Sequence, residues 1–254
     1  MLKRLLILVY ALGGYLVGVL SLIYLMGFII NVAVPKGIND GEPGNVWISL
    51  FVNAALISLF GLHHSLTART KFKHWLKRYH PVPVQRATYL YFTALMTAVL
   101  VIFWQPIDII IWQVNHPEVV TLILGLYFFF WALMVMSSFP IGHFHLLGLA
   151  QAWNHFLKKQ SMDPPFSTKF LYGVVRHPIS SCWVLIAWCT PVMTLGHLVF
   201  AVGVLVYILL ATPHEEKDLV QDIGPDYLKY KEEVPPFIPL IFSSNKQLRK
   251  GKNG

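Results

Sequence analysis

Two clusters in the last third of the chain carry side chains suited to holding a charged, aromatic-bearing small molecule. LYGVVRHP (171–178) sets a guanidinium and an imidazole, Arg176 and His177, against the entry of an apolar run that starts at Pro178. Proline at the first position of a helix is ordinary start chemistry, and arginine beside it is ordinary flanking of a membrane span. Together with backbone N–H groups at a helix start, the same residues also suit an anion such as a carboxylate. The second cluster opens with TPHEEKDL (212–219). Thr212 and Glu215 have the spacing of a capping box, which gives Glu215 a structural duty. Glu216 has no such duty, and a carboxylate beside a pocket bridges ribose hydroxyls or balances a cationic ligand. GPDYLKY (224–230) follows, with Tyr227 and Tyr230 at i and i+3. They form a packing stripe or supply aromatic faces for an adenine or a sulfonium. VPPFIP (234–239) closes the stretch.

Histidines are the other chemistry-bearing type, 11 in all. His143 and His145 are two apart and do not share a helix face, and the adjacent His63 and His64 cannot chelate from one helix, so no metal site is expected. Cys182 and Cys189 fall within one expected span, which implies neither a disulfide framework nor a paired-CxxC site. Most of the histidines read as interfacial packing and hydrogen bonding.

The elements that must position these residues are membrane helices. Of 254 residues 56% are apolar and only 13% charged, against roughly a quarter charged in a soluble domain. The net charge of +8 sits in short loops beside apolar spans, where it serves topology and anionic headgroups, so nucleic acid is not an expected partner. The apolar run at 5–30 is too long for a signal h-region of roughly 7–15 residues and reads as a retained first span. Five more runs follow at about 47–66, 85–104, 119–138, 178–190 and 196–211, judged against ~20 residues per crossing. The fifth is the weakest, because Pro191 interrupts it.

Basic residues alternate between loops. Lys3 and Arg4, the 69–78 loop, the 158–176 segment and the C-terminal tail are rich in them, whereas 31–45 has only Lys36, and 105–118 and 191–196 have none. Six spans with both termini in the cytoplasm satisfy every loop. Trp47, Trp104, Trp112 and Trp188 suit an aromatic belt, and Gly14 with Gly18 forms one GxxxG packing signal. The expected fold is therefore all-α: a polytopic membrane helix bundle of about six spans, the last two a helical hairpin, with a cytoplasmic C-terminal binding region. Within a single domain (1–254) the scaffold covers 1–138. The cytoplasmic connection, hairpin and binding region cover 139–239, and a basic tail covers 240–254. An antiparallel hairpin brings the two clusters to one membrane face.

RHP at a span entry, EE..L after the last span and G..Y..Y...VP.FIP together resemble the isoprenylcysteine carboxyl methyltransferase superfamily of integral membrane methyltransferases. The specific motifs cover about 171–239. Upstream, HHSLTAR (63–69), the W–RY–P–Q–R–TY string (75–89), HFHLLGLAQ (143–151) and TPVMTLGHLVFA (190–201) resemble one branch, the methanethiol S-methyltransferases, so the likeness spans nearly the whole chain. It implies an S-adenosyl-L-methionine site on the cytoplasmic side. Its candidate residues are Gln151, Tyr172, Arg176, His177, Pro178, Glu215, Glu216, Leu219, Tyr227 and Tyr230. The implied reaction is methyl transfer to a small thiol, giving dimethyl sulfide from methanethiol, in a bacterial inner membrane. His64, Arg69, Arg86, His143 and His145 are the near-membrane candidates for steadying the thiolate or taking its proton. One departure stands out: the family leads one to expect an acidic residue where His145 is. An isoprenylated or lipid acceptor, or a non-enzymatic membrane protein linked to nitrogen-oxide metabolism, are the alternatives.

The loop charges make a direct prediction. A reporter fused at the C-terminus is expected to read cytoplasmic; a reading on the far side of the membrane removes the premise that the two clusters meet there.

Overall fold

The computed structural model describes residues 1–68, 72, 75 and 78–239. In chain order the helices are α1 (Leu2–Ile30), α2 (Val46–Ala68), α3 (Gln85–Phe103, entered through a 3-10 turn at Val82–Val84) and α4 (Pro117–Ser138). The short helices α5 (His143–Leu146) and α6 (Leu149–Phe156) follow, then a 3-10 turn at Phe170–Gly173. The chain goes on through α7 (Pro178–Trp188), α8 (Leu195–Ile223) and α9 (Pro225–Glu233). Two short strands, β1 (Ile110–Gln113) and β2 (Val192–Thr194), pair antiparallel, with an irregularity between Ile110 and Trp112. Among the described residues α1, α2, α3, α4 and α8 are long and apolar enough to cross a membrane. The outward faces carry Leu6, Leu20, Phe51, Leu122, Phe129 and Leu210, all exposed. Apolar surface on that scale belongs against lipid. The chain is an integral membrane helix bundle, as expected.

The main core lies toward the end of the bundle where α1 and α3 finish and α8 begins, with α4 and α7 packed in. Phe28, Trp104 and Phe200 pack edge to face with centroids 5.9–6.4 Å apart. Trp131 meets Trp183 at 5.2 Å, and the Tyr127 hydroxyl donates to the Met26 carbonyl at 2.6 Å. Trp104 is fully buried in this cluster, so it is not part of an aromatic belt; its large ring fills the gap between α1 and α8.

One expected span differs. α7 has 11 residues, about 16 Å of helix, where a crossing needs ~20 residues. Pro191 is the cause: it cannot continue the helix, and Thr190 to Thr194 run on as extended chain into β2. That backbone is satisfied by protein. Val114 N–H donates to the Pro191 carbonyl, Leu195 N–H to Ile109, and Gly196 N–H to Ile107. Irregular backbone at membrane depth is tolerated only when buried in this way.

The loops poor in basic residues gather at this end of the bundle. Thr194 donates to Asn39, and Asn53 exchanges hydrogen bonds with Gln105. Lys36 Nζ donates to the carbonyls of Ile102 and Trp104 at 2.7 and 3.0 Å. This lysine, the only basic residue in 31–45, thus caps the C-terminus of α3.

At the opposite end, α1 and α3 approach closely enough that small residues are obligatory. A Cβ on Gly14 would lie 3.0 Å from the Ala87 Cβ, and one on Gly18 would meet Leu90. The GxxxG is a packing face, as its spacing suggests. Tyr10 bonds Thr88, and Ile7, Ala11, Val84, Ala87 and Ala152 form a second buried cluster that docks α6 onto α1 and α3. Gly148 ties the 139–177 connection to α3. It has φ +82°, and a Cβ there would lie 2.6 Å from the Arg86 Cβ. Gly148→Ala is therefore expected to destabilise the protein by about 1–3 kcal/mol, read as a lower midpoint of thermal unfolding in detergent.

Candidate functional site

α8 runs unbroken from Leu195 to Ile223 through Pro213. Thr212 donates to the Ile208 carbonyl one turn back and is not a helix cap. This overturns the capping-box reading of Thr212 and Glu215, because no helix begins there. Successive residues on a helix point about 100° apart, and the adjacent glutamates accordingly part company. The Glu216 side chain is 7% exposed and that of Glu215 57%.

Among the described residues three basic side chains converge on Glu216. Arg176 approaches Oε1 through Nε at 2.8 Å and Nη2 at 2.6 Å. Lys231 Nζ lies 2.6 Å from Oε2, and His177 Nε2 lies 3.1 Å from Oε1. The other side of the guanidinium, Nη1, donates to the carbonyls of Lys231 and Val234. Main-chain bonds complete the join: Arg176 N–H donates to Pro235 at 2.8 Å and His177 N–H to Pro236 at 3.1 Å. The anion that Arg176 and the nearby N–H groups invite is thus supplied from within the chain. Arg176 fastens the segment after α9 to the start of α7, and the buried Pro178 begins that helix.

Around this clamp lie the groups that remain available. His177 sits between the two carboxylates, with Nδ1 3.7 Å from Glu215. Glu215 is within electrostatic reach of Tyr89, Tyr172 and Tyr227. Tyr227 and Tyr230 are buried with centroids 5.8 Å apart, and Phe166 meets them at 6.0 and 5.2 Å. The Tyr230 hydroxyl donates to the Tyr172 carbonyl at 2.6 Å, while the Tyr227 hydroxyl is buried and has no partner among the described residues. Burial raises all three tyrosine pKa values, with Glu215 adding to the effect at Tyr172; Tyr230 is pushed up to about 12. These phenols stay protonated at neutral pH and remain donors. Leu219 is half-buried one turn beyond Glu215 on α8.

The near-membrane candidates separate by how fully they are used. His143 has Ser138 Oγ at 2.6 Å from Nδ1 and the Tyr15 hydroxyl at 3.2 Å from Nε2, and it stacks on Phe139. Both nitrogens are engaged, so the ring braces α5 against α1. Gln151 Nε2 donates to the His145 carbonyl at 2.9 Å and lies 3.3 Å from its Nδ1. Nε2 of His145 is 3.4 Å from the exposed Asp163. Burial lowers the pKa of His145, with Asp163 opposing and Arg86 reinforcing; burial also lowers that of His143. His145 is held by Gln151, whose Oε1 is buried without a partner among the described residues. His64 differs: the Tyr89 hydroxyl lies 2.9 Å from both ring nitrogens. A hydroxyl can both donate and accept, so Tyr89 is placed to orient the His64 ring through either nitrogen. Phe60 stacks on His64 at 5.7 Å, and Tyr207 meets it edge-on at 6.1 Å. Arg86, in the first turn of α3, is within electrostatic reach of Tyr89 and His145. Arg69 lies outside the described residues.

Sequence reading missed Lys231, Phe166 and Tyr89. Tyr89 follows Arg86 by three residues on one helix face, a usable signal. Lys231 and Phe166 carried none, because they matter only once α9 and the 157–169 segment fold back.

The chain is 40% identical over 233 residues to the methanethiol S-methyltransferase of Pseudomonas sp. (strain GM41(2012)), covering 91% of this chain and 89% of that one. It is 35% identical over 237 residues to the methanethiol S-methyltransferase of Mycobacterium tuberculosis (strain ATCC 25618 / H37Rv), covering 93% and 97%. The chain belongs to the methanethiol S-methyltransferase family. A more distant likeness, 26% over 186 residues, is to nurim of Bos taurus. No protein-family model matches the chain, and no solved structure matches it significantly. The family read from the motifs is thus borne out.

For a methanethiol S-methyltransferase fold so clamped, the two glutamates should behave differently. Glu216→Ala leaves Arg176 buried without its charge partner, and the expected loss is about 3–5 kcal/mol, with faster proteolysis of the α9 region. Glu215→Ala is expected to leave thermal stability nearly unchanged. Equal stability losses in the two variants would show that the buried cluster does not hold this end.

Proposed function

We propose that this protein transfers a methyl group from S-adenosyl-L-methionine to methanethiol, releasing dimethyl sulfide, at the cytoplasmic face of a bacterial inner membrane. The observation that carries this reading is the 35–40% identity to methanethiol S-methyltransferases along nearly the whole chain. The donor set around the clamp fits the proposed cosubstrate. Phe166, Tyr227 and Tyr230 offer an aromatic wall with one unpartnered hydroxyl. Glu215 offers an exposed carboxylate beside His177.

When bound, S-adenosyl-L-methionine supplies an electrophilic methyl group on a cationic sulfur. Glu215 and His177 would hold its polar groups, and the tyrosine wall its adenine. Arg176, Glu216 and Lys231 would act at one remove, fixing that wall in place. On the membrane side, His64 would accept the thiol proton at a ring nitrogen, with Tyr89 orienting the ring. Arg86 would steady the thiolate without surrounding it with water. A thiolate and a sulfonium lose charge as they combine, so exclusion of water and alignment are what the protein must supply. The acceptor is small and apolar and can arrive through lipid, whereas the donor is charged and must arrive from water; a site at the end of an apolar bundle admits both.

The deciding experiment offers purified protein S-adenosyl-L-methionine with methanethiol, and in parallel an isoprenylated cysteine analogue. Dimethyl sulfide without methyl ester is the expected result, and ester without sulfide would transfer the reading to a lipid acceptor. His64→Asn should lower kcat by roughly 10²-fold or more if it takes the proton, whereas His143→Asn should mainly lower stability.

A further inference from the structure

A second basic cluster lies at the same end of the bundle, away from Glu216. The first turn of α1 and the end of α6 border an open cavity of about 650 Å3, lined by Met1, Lys3, Arg4, His155, Phe156 and Lys158. Among the described residues Lys3, Arg4 and Lys158 make no ion pair. Residues 1–39 and 119–162, which contain both helices, include no Asp or Glu. Arg176 has an internal carboxylate; among the described residues none pairs with this cluster, whose charge is left available to an external anion. The rim is apolar: Leu2, Leu5 and Leu6 on α1, and Trp153 and Leu157 at the end of α6, are exposed. Basic flanks orient a span, but orientation does not require cations from two separate helices to share one cavity.

We propose that this cavity binds the phosphate headgroup of an anionic phospholipid, its acyl chains lying along the exposed leucines of α1. Lys3, Arg4 and Lys158 neutralise the phosphate, as cationic pockets at a membrane surface do. Phe156 and Trp153 flank the glycerol region, where aromatic rings favour the interface. The proposal is independent of the methyl-transfer reading and rests only on membrane embedding.

The test uses the full chain purified in mild detergent with photoactivatable phosphatidylglycerol, followed by peptide mapping. Labelling is expected within residues 1–10 and 151–160. Unlabelled phosphatidylglycerol should compete, and phosphatidylcholine and inorganic phosphate at the same concentration should not. Arg4→Gln/Lys158→Gln, which retains Lys3 for insertion, should weaken apparent affinity on the order of 30-fold, the loss of two surface cations. The control Lys217→Gln/Lys229→Gln should bind as the parent does. Labelling elsewhere, equal competition by phosphatidylcholine, or unchanged affinity in the double variant overturns the proposal. Equal competition by inorganic phosphate also overturns it, in favour of a soluble-anion site. Should the double variant fail to fold, the map and competition on the parent protein decide alone.

Discussion

One buried carboxylate holds the site end of this bundle together. Glu216 projects from α8 into a space reached by Arg176 ahead of α7 and Lys231 on α9. A lone carboxylate there would be costly, and so would a lone guanidinium; each is tolerated because the other is present and hydrogen-bonded. The arrangement also fixes geometry. A planar guanidinium that serves Glu216 on one side and two carbonyls of the 231–234 segment on the other sets both the distance and the angle between α8 and the returning chain. Lysine in place of Arg176 would keep the charge and lose that second function.

The neighbouring glutamate shows why the helix must continue past Pro213. Had a new helix started at Thr212, Glu215 would be turned toward backbone N–H groups and occupied there. Continuous helix instead sends Glu216 inward and Glu215 outward. The result is a rigid structural carboxylate beside an accessible one, with His177 between them. Rigidity and availability cannot reside in one side chain at such a site, because a carboxylate saturated by internal cations has nothing left for a ligand. Division between consecutive residues resolves the conflict.

Much of this was legible in the sequence, and the limits have physical causes. The five long spans follow from hydropathy, which acts on whole segments. The truncated α7 was signalled only by Pro191, since apolar composition is the same in a helix and in a buried extended segment. RHP, EE and the paired tyrosines come together in the fold because they lie close in sequence to the turns that join their helices. Their roles were not legible. Whether Arg176 faces a ligand or Glu216 depends on contacts 40 residues apart, and helical phase at Glu215 and Glu216 depends on whether Pro213 breaks α8. Likewise His143, His145 and His64 look alike in sequence. They differ only in whether Ser138, Tyr15, Gln151 or Tyr89 reaches them.

The two ends of the molecule are linked through α7. Its 11 helical residues are followed by an extended stretch bonded to the 107–114 segment at the far end, while its first residues are bonded to the segment after α9. Helix rise and strand rise are both fixed, so the length of this element is fixed too. Sliding α7 along its axis would break the Pro191 and Ile109 bonds at one end or the Pro235 and Pro236 bonds at the other. The position of Arg176 relative to Glu216 is therefore set from both membrane faces. A short helix completed by strand, which looks like a weak span, is what denies that position any freedom to drift.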